Sequence, residues 1–375
     1  MNRKLLYENI VDDIRARMRS GELAAADPLP PVQQLCRHYQ VSHITVLRSL
    51  KELNAAGVIH RHGRGYRVAP VLKLEEEFAL SSRATTIGLF LRSYWNAPDN
   101  YFNQINQAIE NELFASRMDT LRSHFSNVFN YCQPDSSGEY AEADEILRQM
   151  LAIARRCCGL LVDERVSDRI LAGFLQHSDV PVVVVNRASE LPVGSIAIPN
   201  FSGVKLLLDA VLTRGYTDIF FCGTAARRFY NDYQRFRALE ELTAQEEYAG
   251  RFRMHWHTDW EVPFEVYYQK LYSALTRLSP PRKPLILAPS DLLALELYKR
   301  LSTRDCEVGR DYGLCGFYGS PVTLPGGRII TSVRVNTDAV GSSAVKLLLK
   351  FVHNPWCERK EGKEVGAELV YGDTA

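Results

Sequence analysis

The sequence predicts an α/β chain: a winged helix-turn-helix head followed by a two-lobed body of doubly wound parallel sheets. Three observations predict it. Three short helical patterns and a glycine-bounded hairpin fill the first 70 residues, strand and helix patterns alternate from Thr85 onward, and the alternation pauses and resumes near residue 200 to give two α/β halves of similar size. At 375 residues the chain exceeds what a single core usually serves. Hydrophobic residues at 46% and charged residues at 24% place it among ordinary globular proteins, and no apolar run approaches the roughly 20 residues of a membrane helix.

Leu6, Ile10, Ile14 and Met18 recur every four residues and line one stripe of a first helix, with Gly21 where a C-terminal cap sits. Pro30 and Pro31 stand at the entry of a second, short helix, where a missing amide hydrogen costs nothing, and Val32 and Leu35 face inward. Ser42 suits the N-cap of a third helix whose Val46, Leu50 and Leu53 share one face and whose end is marked by Gly57. So few residues separate the second and third helices that they must turn sharply. "VIHRH" and "YRVA" then read as two strands joined by Gly63-Arg64-Gly65. The glycines allow a tight tip, and Arg64 is placed there to approach a phosphate backbone or minor groove. His43, Thr45 and Arg48 lie at the exposed N-terminal half of the third helix, the end that reaches base edges in a major groove. Solvated charges on a small helical domain are the alternative reading.

Charge supports the first reading. Residues 1–70 hold 11 Lys and Arg against 6 Asp and Glu, whereas the whole chain is nearly neutral at +1, so a basic head sits on a mildly acidic body. The start, "MNRKLLYENIVDDIRARM", carries acids where a signal peptide has an apolar core, and a cytoplasmic location is expected. Eight cysteines with one vicinal pair, Cys157-Cys158, are not a disulfide framework.

Residues 5–69 resemble the winged helix-turn-helix of the GntR family, through "LYENIVDDIRARMRSGEL", "LPPVQQLCRHYQVSHITVLRSLKELNAAGVI" and "RHGRGYRV" in order and without gaps. The resemblance implies that Gln33, Ser42, His43, Thr45 and Leu47, with the wing at Gly63 to Gly65, approach double-stranded operator DNA. The chain departs from the family where Gln33, His43 and Leu47 replace the usual arginines and Pro31 replaces the customary serine. Arg48 is a candidate compensating contact.

"PVLKLEEEFALSSRATT" follows the wing as a linker, and its Glu75-Glu76-Glu77 run reads as a solvated face. The domain boundaries expected are 1–69 for the head, 70–84 for the linker and 85–375 for an effector-binding and dimerisation body. Within the body "TIGLFL", "CGLLVDE", "VPVVVVNR", "DIFFCG" and "PLILAPSD" are strands, and helices lie between them. Two such halves form a cleft at the carboxyl ends of their strands. No G-x-G-x-x-G after a strand, Walker loop, G-x-S-x-G or H-E-x-x-H occurs, so no catalytic residue and no cofactor is expected. His255 and His257 alternate on a probable strand and face one side, without a third partner, and no metal site is expected.

Residues 85 to about 352 resemble the effector-binding domain of the LacI/GalR family, which shares its fold with periplasmic sugar-binding proteins. "LILAPSDLLALELYKRLSTRDCEVGRDYGLCGFYG" and "ITSVRVNTDAVGSSAVKLLLKF" carry the strongest match. By position, the resemblance implies that Asp291 accepts hydrogen bonds from a ligand, that Arg235 donates a fork of them from the opposite half, and that Arg187 stands at a strand end beside the crossover. Tyr94, Trp95, Tyr101 and Phe102, after the first strand, fall where the family stacks aromatic faces on a ligand. Helix capping by Asp291, a surface role for Arg235 and plain packing of the aromatics are the competing readings. Pro199 stands where the family usually has Asp.

Head and body together predict a ligand-responsive transcription factor, homodimeric because a two-fold operator needs two recognition helices. Its expected action is repression, relieved by a sugar or similar small polar metabolite in the cleft, with no membrane partner. A corepressor-dependent regulator or an activator fits the same residues. From other classes, a sugar-active enzyme lacks a candidate nucleophile, and a solute-binding receptor has no use for the head.

Overall fold

The computed structural model describes residues 6–19, 22–24, 26–55, 58–63, 65–68, 83–94, 100–123, 140–223, 229–256, 262–278, 281–320, 322–354 and 357–375. The linker run at 70–82, Gly21, Gly57, Arg64, Trp95 and His257 therefore lie outside the described residues. The chain divides into two compact units, Met1–Thr85 and Thr86–Ala375.

In the first unit α1 (Leu6–Arg19), α2 (Val32–Tyr39) and α3 (His43–Ala55) precede an antiparallel hairpin of β1 (Ile59–His62) and β2 (Gly65–Val68). Ile10, Val11, Ile14, Leu35, Val46, Leu50, Leu53, Val58, Ile59 and Val68 close one core. Leu6 is the exception to the expected stripe and lies 63% exposed. A helical period of 3.6 lets the residue at i−3 take the face instead. Tyr7 faces α3: its carbonyl accepts from the Ser49 hydroxyl at 3.2 Å, and its ring lies 4.0 Å from the Arg48 guanidinium. Gln40, at φ +53, ends α2 in the left-handed region and sets the sharp turn. At the wing tip Gly63 has φ +58, as a tight hairpin link requires, and Pro28 bridges to Arg67 on the outer side of β2.

The second unit contains two six-stranded sheets. Across one sheet the strands run β13 (Glu361–Glu364), β7 (Gly194–Ala197), β6 (Val182–Val185), β5 (Gly159–Val162), β3 (Thr86–Phe90) and β4 (Asp119–Arg122), all parallel; across the other they run β14 (Ala367–Val370), β12 (Thr331–Val335), β11 (Gly313–Tyr318), β10 (Pro284–Leu287), β8 (Asp218–Phe221) and β9 (Arg253–Trp256), parallel except for β14. Its first lobe runs β3 (Thr86–Phe90), α4 (Tyr101–Ala115), β4 (Asp119–Arg122), α5 (Ala143–Ala154), β5 (Gly159–Val162), α6 (Asp168–His177), β6 (Val182–Val185) and β7 (Gly194–Ala197). After α7 (Asn200–Leu212) the second lobe follows with β8 (Asp218–Phe221), α8 (Tyr230–Ala244), β9 (Arg253–Trp256), α9 (Phe264–Thr276), β10 (Pro284–Leu287), α10 (Asp291–Ser302), β11 (Gly313–Tyr318) and β12 (Thr331–Val335). The chain then returns through α11 (Thr337–His353) to β13 (Glu361–Glu364) and crosses again to β14 (Ala367–Val370).

Burial explains the pattern. The four valines of β6 are all buried because helices cover both faces of a central parallel strand. α11 packs closely on α4 at Gly341, where a Cβ would fall 2.6 Å from the Ala108 Cβ. Two more core clusters fill the outer layers of the lobes. The seven cysteines among the described residues are free thiols. Among the described residues no helix is long and apolar enough to cross a membrane.

Candidate functional site

Two regions gather the candidate residues, one in each unit. In the head, Ser42 caps α3 by accepting from the Thr45 amide at 3.3 Å, and its hydroxyl lies 2.9 Å from that of Thr45. Gln33, Ser42, His43, Arg48, Gly63 and Gly65 are exposed, Thr45 is half-buried, and Leu47 is 41% exposed. Arg48 does not project freely: its guanidinium lies 4.0 Å from the Tyr7 ring centroid. Ile44, an apolar residue outside the helix's inward stripe, is 78% exposed on the same helix.

In the body a cavity of about 330 Å³ opens between the lobes. From the first lobe it is lined by Arg92, Tyr94, Asn100, Tyr101, Phe102, Glu164 and Arg165, at the carboxyl ends of β3 and β5 and the start of α4. The second lobe contributes Phe229, Tyr230, Asn231 and Asp232 from the start of α8, with Ser290, Leu292, Tyr318 and Ser320 beyond β10 and β11. Polar groups collect there because parallel strands end together and the loops after them need no apolar cover.

One network ties the walls together. Arg92 is 2% exposed and lies over Phe102 at 3.7 Å, with Asp163 at 3.4 Å and Glu164 bonded to its Nη2. Burial alone would lower its pKa, but Asp163 and Glu164 outweigh burial and raise it, so the guanidinium stays charged. Glu164 also accepts from Asn186 and, across the cleft, from the Asn231 amide at 2.5 Å. Asn231 donates to the Asn186 carbonyl at 3.0 Å and accepts from Asn200 at 2.8 Å. Tyr101 donates to Asn186 at 2.7 Å and packs its ring 4.2 Å from that of Tyr318. Asn186 and Tyr318 have φ of +75 and +94, two left-handed backbone positions beside the cleft.

The predicted ligand residues divide. Tyr94, Tyr101 and Phe102 line the cavity; Arg187, Arg235 and Asp291 do not. Arg187 donates to the Val166 carbonyl and Asp168 at 2.7 Å and to the Ala188 carbonyl at 2.8 Å, which anchors it within its own lobe. Arg235 is 0% exposed. It donates to Asn200 at 3.0 Å and to the Pro289 carbonyl, under the faces of Phe317 and Tyr318 at 3.8 and 4.5 Å. Only its Nη2 has no hydrogen-bond partner among the described residues. Asp291 is the first residue of α10, and the cap is Ser290, which accepts from the Leu293 amide at 3.2 Å. The Asp291 side chain turns beneath the cleft floor, 1% exposed, and accepts from the Ser320 amide at 2.6 Å. Burial pushes this carboxyl up to about 6, against the pull of Ser332, Ser320 and Arg235. Asp232, on the cavity wall, is likewise pushed up to about 6 by burial, with Arg235 at 3.9 Å opposing.

The cavity offers aromatic faces and hydrogen-bonding groups, and its described lining holds neither histidine nor cysteine. His255 stacks on Phe220 at 4.2 Å and bonds Asp218 at 2.8 Å, a packing role at the edge of the second sheet. Among the described residues no group of three His, Cys, Asp or Glu is arranged to hold a metal ion.

Comparison with known proteins matches both units. Residues 6–68 match bacterial regulatory proteins of the gntR family, and residues 208–375 match the periplasmic binding protein-like domain. Among solved structures, a LacI family transcriptional regulator from Enterococcus faecalis with bound ribose is similar at 16% identity and a TM-score of 0.60, over 77% of this chain and 98% of that one. The ribose operon repressor protein of Lactobacillus acidophilus gives 14% and 0.59 over 77% and 98%. A LacI-type regulator of Alkaliphilus metalliredigens complexed with D-xylulofuranose gives 15% and 0.56 over 78% and 99%. At these identities the structures establish the fold of the body.

Proposed function

We propose that this transcription regulator, which joins a GntR-type DNA-binding head to a periplasmic binding protein-like body, is a homodimeric repressor. Its effector is a monosaccharide-sized polar molecule held between the lobes. The observation that carries the reading is the cavity: about 330 Å³, at the small end of ligand sites, with aromatic faces on both walls and amide, hydroxyl and carboxylate groups beside them. Tyr94 and Phe102 present ring faces suited to the apolar face of a pyranose or furanose, while Asn231, Asp232, Ser290 and Ser320 suit its hydroxyls. The ribose and D-xylulofuranose bound in two of the similar structures agree with this chemistry.

Both lobes line the cavity, so an occupant changes the balance between lobe arrangements. The Asn231 bonds to Glu164 and Asn186 are made only when the lobes are together. A ligand that adds contacts to both walls favours that arrangement, and the differential affinity sets how far operator binding responds. The domain boundaries follow the same reading: head 1–69, linker 70–84, effector body 85–375. Operator DNA places the chain's work in the cytoplasm.

A thermal-shift panel of pentoses, hexoses, sugar acids and nucleobases against the full chain tests the proposal. A sugar should raise the body's melting temperature in the parent, and Asp232→Ala should weaken that sugar by tenfold or more. A panel in which only nucleobases stabilise, or a sugar indifferent to Asp232, would reject the assignment.

A further inference from the structure

We propose that the head selects its operator through thymine methyl groups, read by Ile44 and Leu47 of α3, in place of guanine contacts made by arginine. The inference rests on the GntR-type head binding DNA and adds which base edges it reads. Five large apolar residues of α3 divide into two sets. Val46, Leu50 and Leu53 are buried at 0 to 1% exposure, whereas Ile44 is 78% and Leu47 41% exposed. Ile44 and Leu47 are three residues apart in the first two turns, so they form one apolar edge. No part of the head's own core claims them.

The head as a whole carries 11 basic against 6 acidic side chains over residues 1–70, and His43, Arg48 and Lys51 stand on the same helix, a balance that suits a polyanion as the occupant of that edge. In a major groove the only apolar group on a base edge is the C5 methyl of thymine, and two branched side chains at the N-terminal half of α3 are complementary to it. The arginine route is closed at the same positions. Residue 43 is His and residue 47 is Leu, and the Arg48 guanidinium is engaged over Tyr7 at 4.0 Å. One imidazole nitrogen of His43 can meet a purine N7 but cannot fill N7 and O6 together as a guanidinium fork does. Ser42 and Thr45 share their hydroxyls at 2.9 Å, so these two side chains engage each other beside the exposed apolar pair.

The test uses the full chain and a duplex library with a random central segment. Bound duplexes are sequenced, and each selected thymine in the strongest site is replaced singly by deoxyuridine, which deletes the methyl and keeps every hydrogen-bonding group. The expected result is one or two thymines per half-site at which uracil weakens binding by about four-fold each, the value of one buried methyl group. Ile44→Ser and Leu47→Ser should bind the uracil site as the parent does and should no longer distinguish it from the thymine site. Both positions are exposed, so neither change disturbs the fold. A site dominated by guanine, with uracil neutral throughout, would overturn the inference while leaving DNA binding intact. Variants that change the oligomeric state in sedimentation and not the uracil response would also overturn it, by assigning the edge to a second copy of the chain. No enrichment at all would overturn this inference together with the DNA-binding reading.

Discussion

Asp291→Asn is expected to remove a pH dependence that the parent body shows. The parent carboxylate is 1% exposed, Oδ1 has no hydrogen-bond partner among the described residues, and burial raises its pKa from 3.8 to about 6. Because the folded value lies above the unfolded one, the folded chain holds the proton more tightly, and ionisation costs stability. The cost is complete above about pH 6. It shrinks by about 1.4 kcal/mol per pH unit as pH falls and is gone below about pH 4, a total near 3 kcal/mol. The amide of Asn is neutral throughout and keeps an acceptor for Ser320, but its NH2 takes the unpartnered position, which adds a cost that does not vary with pH. The slope is therefore the readout. Urea unfolding followed by tryptophan fluorescence reports the body alone, since Trp95, Trp256, Trp260 and Trp356 all lie beyond the first unit. Between pH 7.5 and 4.5 the stability difference, parent minus variant, should move in the parent's favour by about 2 to 3 kcal/mol. Parallel curves would refute the buried, ionised carboxylate.

Gly316→Ala places a Cβ 2.0 Å from Asp291 Oδ1 and 3.1 Å from the Asp291 Cα, so the same unfolding experiment should show a loss of at least about 2 kcal/mol. Glu164→Gln leaves Arg92 buried with Asp163 at 3.4 Å as its one carboxylate partner; a cost of about 1 to 3 kcal/mol and weaker ligand binding are expected, read by urea unfolding and calorimetry. Leu53→Ala empties a fully buried position of the head core. It should cost the head about 2 to 5 kcal/mol and abolish duplex binding, while the tryptophan-reported transition stays where it was.

Periodicity and strand composition made much of this architecture legible. α3 is read from Val46, Leu50 and Leu53, and β6 from four consecutive valines, because each pattern matches the burial it produces. The strands after α11 are not legible in the sequence. Glu361 to Glu364 are mostly exposed at a sheet edge and carry no apolar alternation, and only pairing with β7 makes them a strand. At the site, the aromatics after β3 are legible through the family resemblance, whereas Arg92 and Glu164 carry a signal of their own as charged residues directly behind apolar strands in "FLRSY" and "VDER". Asp291 and Arg235 show the opposite limit. Their positions at a strand end and on a helix are readable, but their directions depend on Gly316, Ser320, Asn200 and Pro289, which other elements deliver.

The most direct test of the account is the affinity of the full chain for its selected duplex, measured with and without saturating amounts of the sugar that stabilises the body. The account predicts that the sugar weakens duplex binding by at least about five-fold, and that the duplex weakens the sugar by the same factor. A sugar that occupies the cavity and leaves duplex affinity unchanged would contradict it.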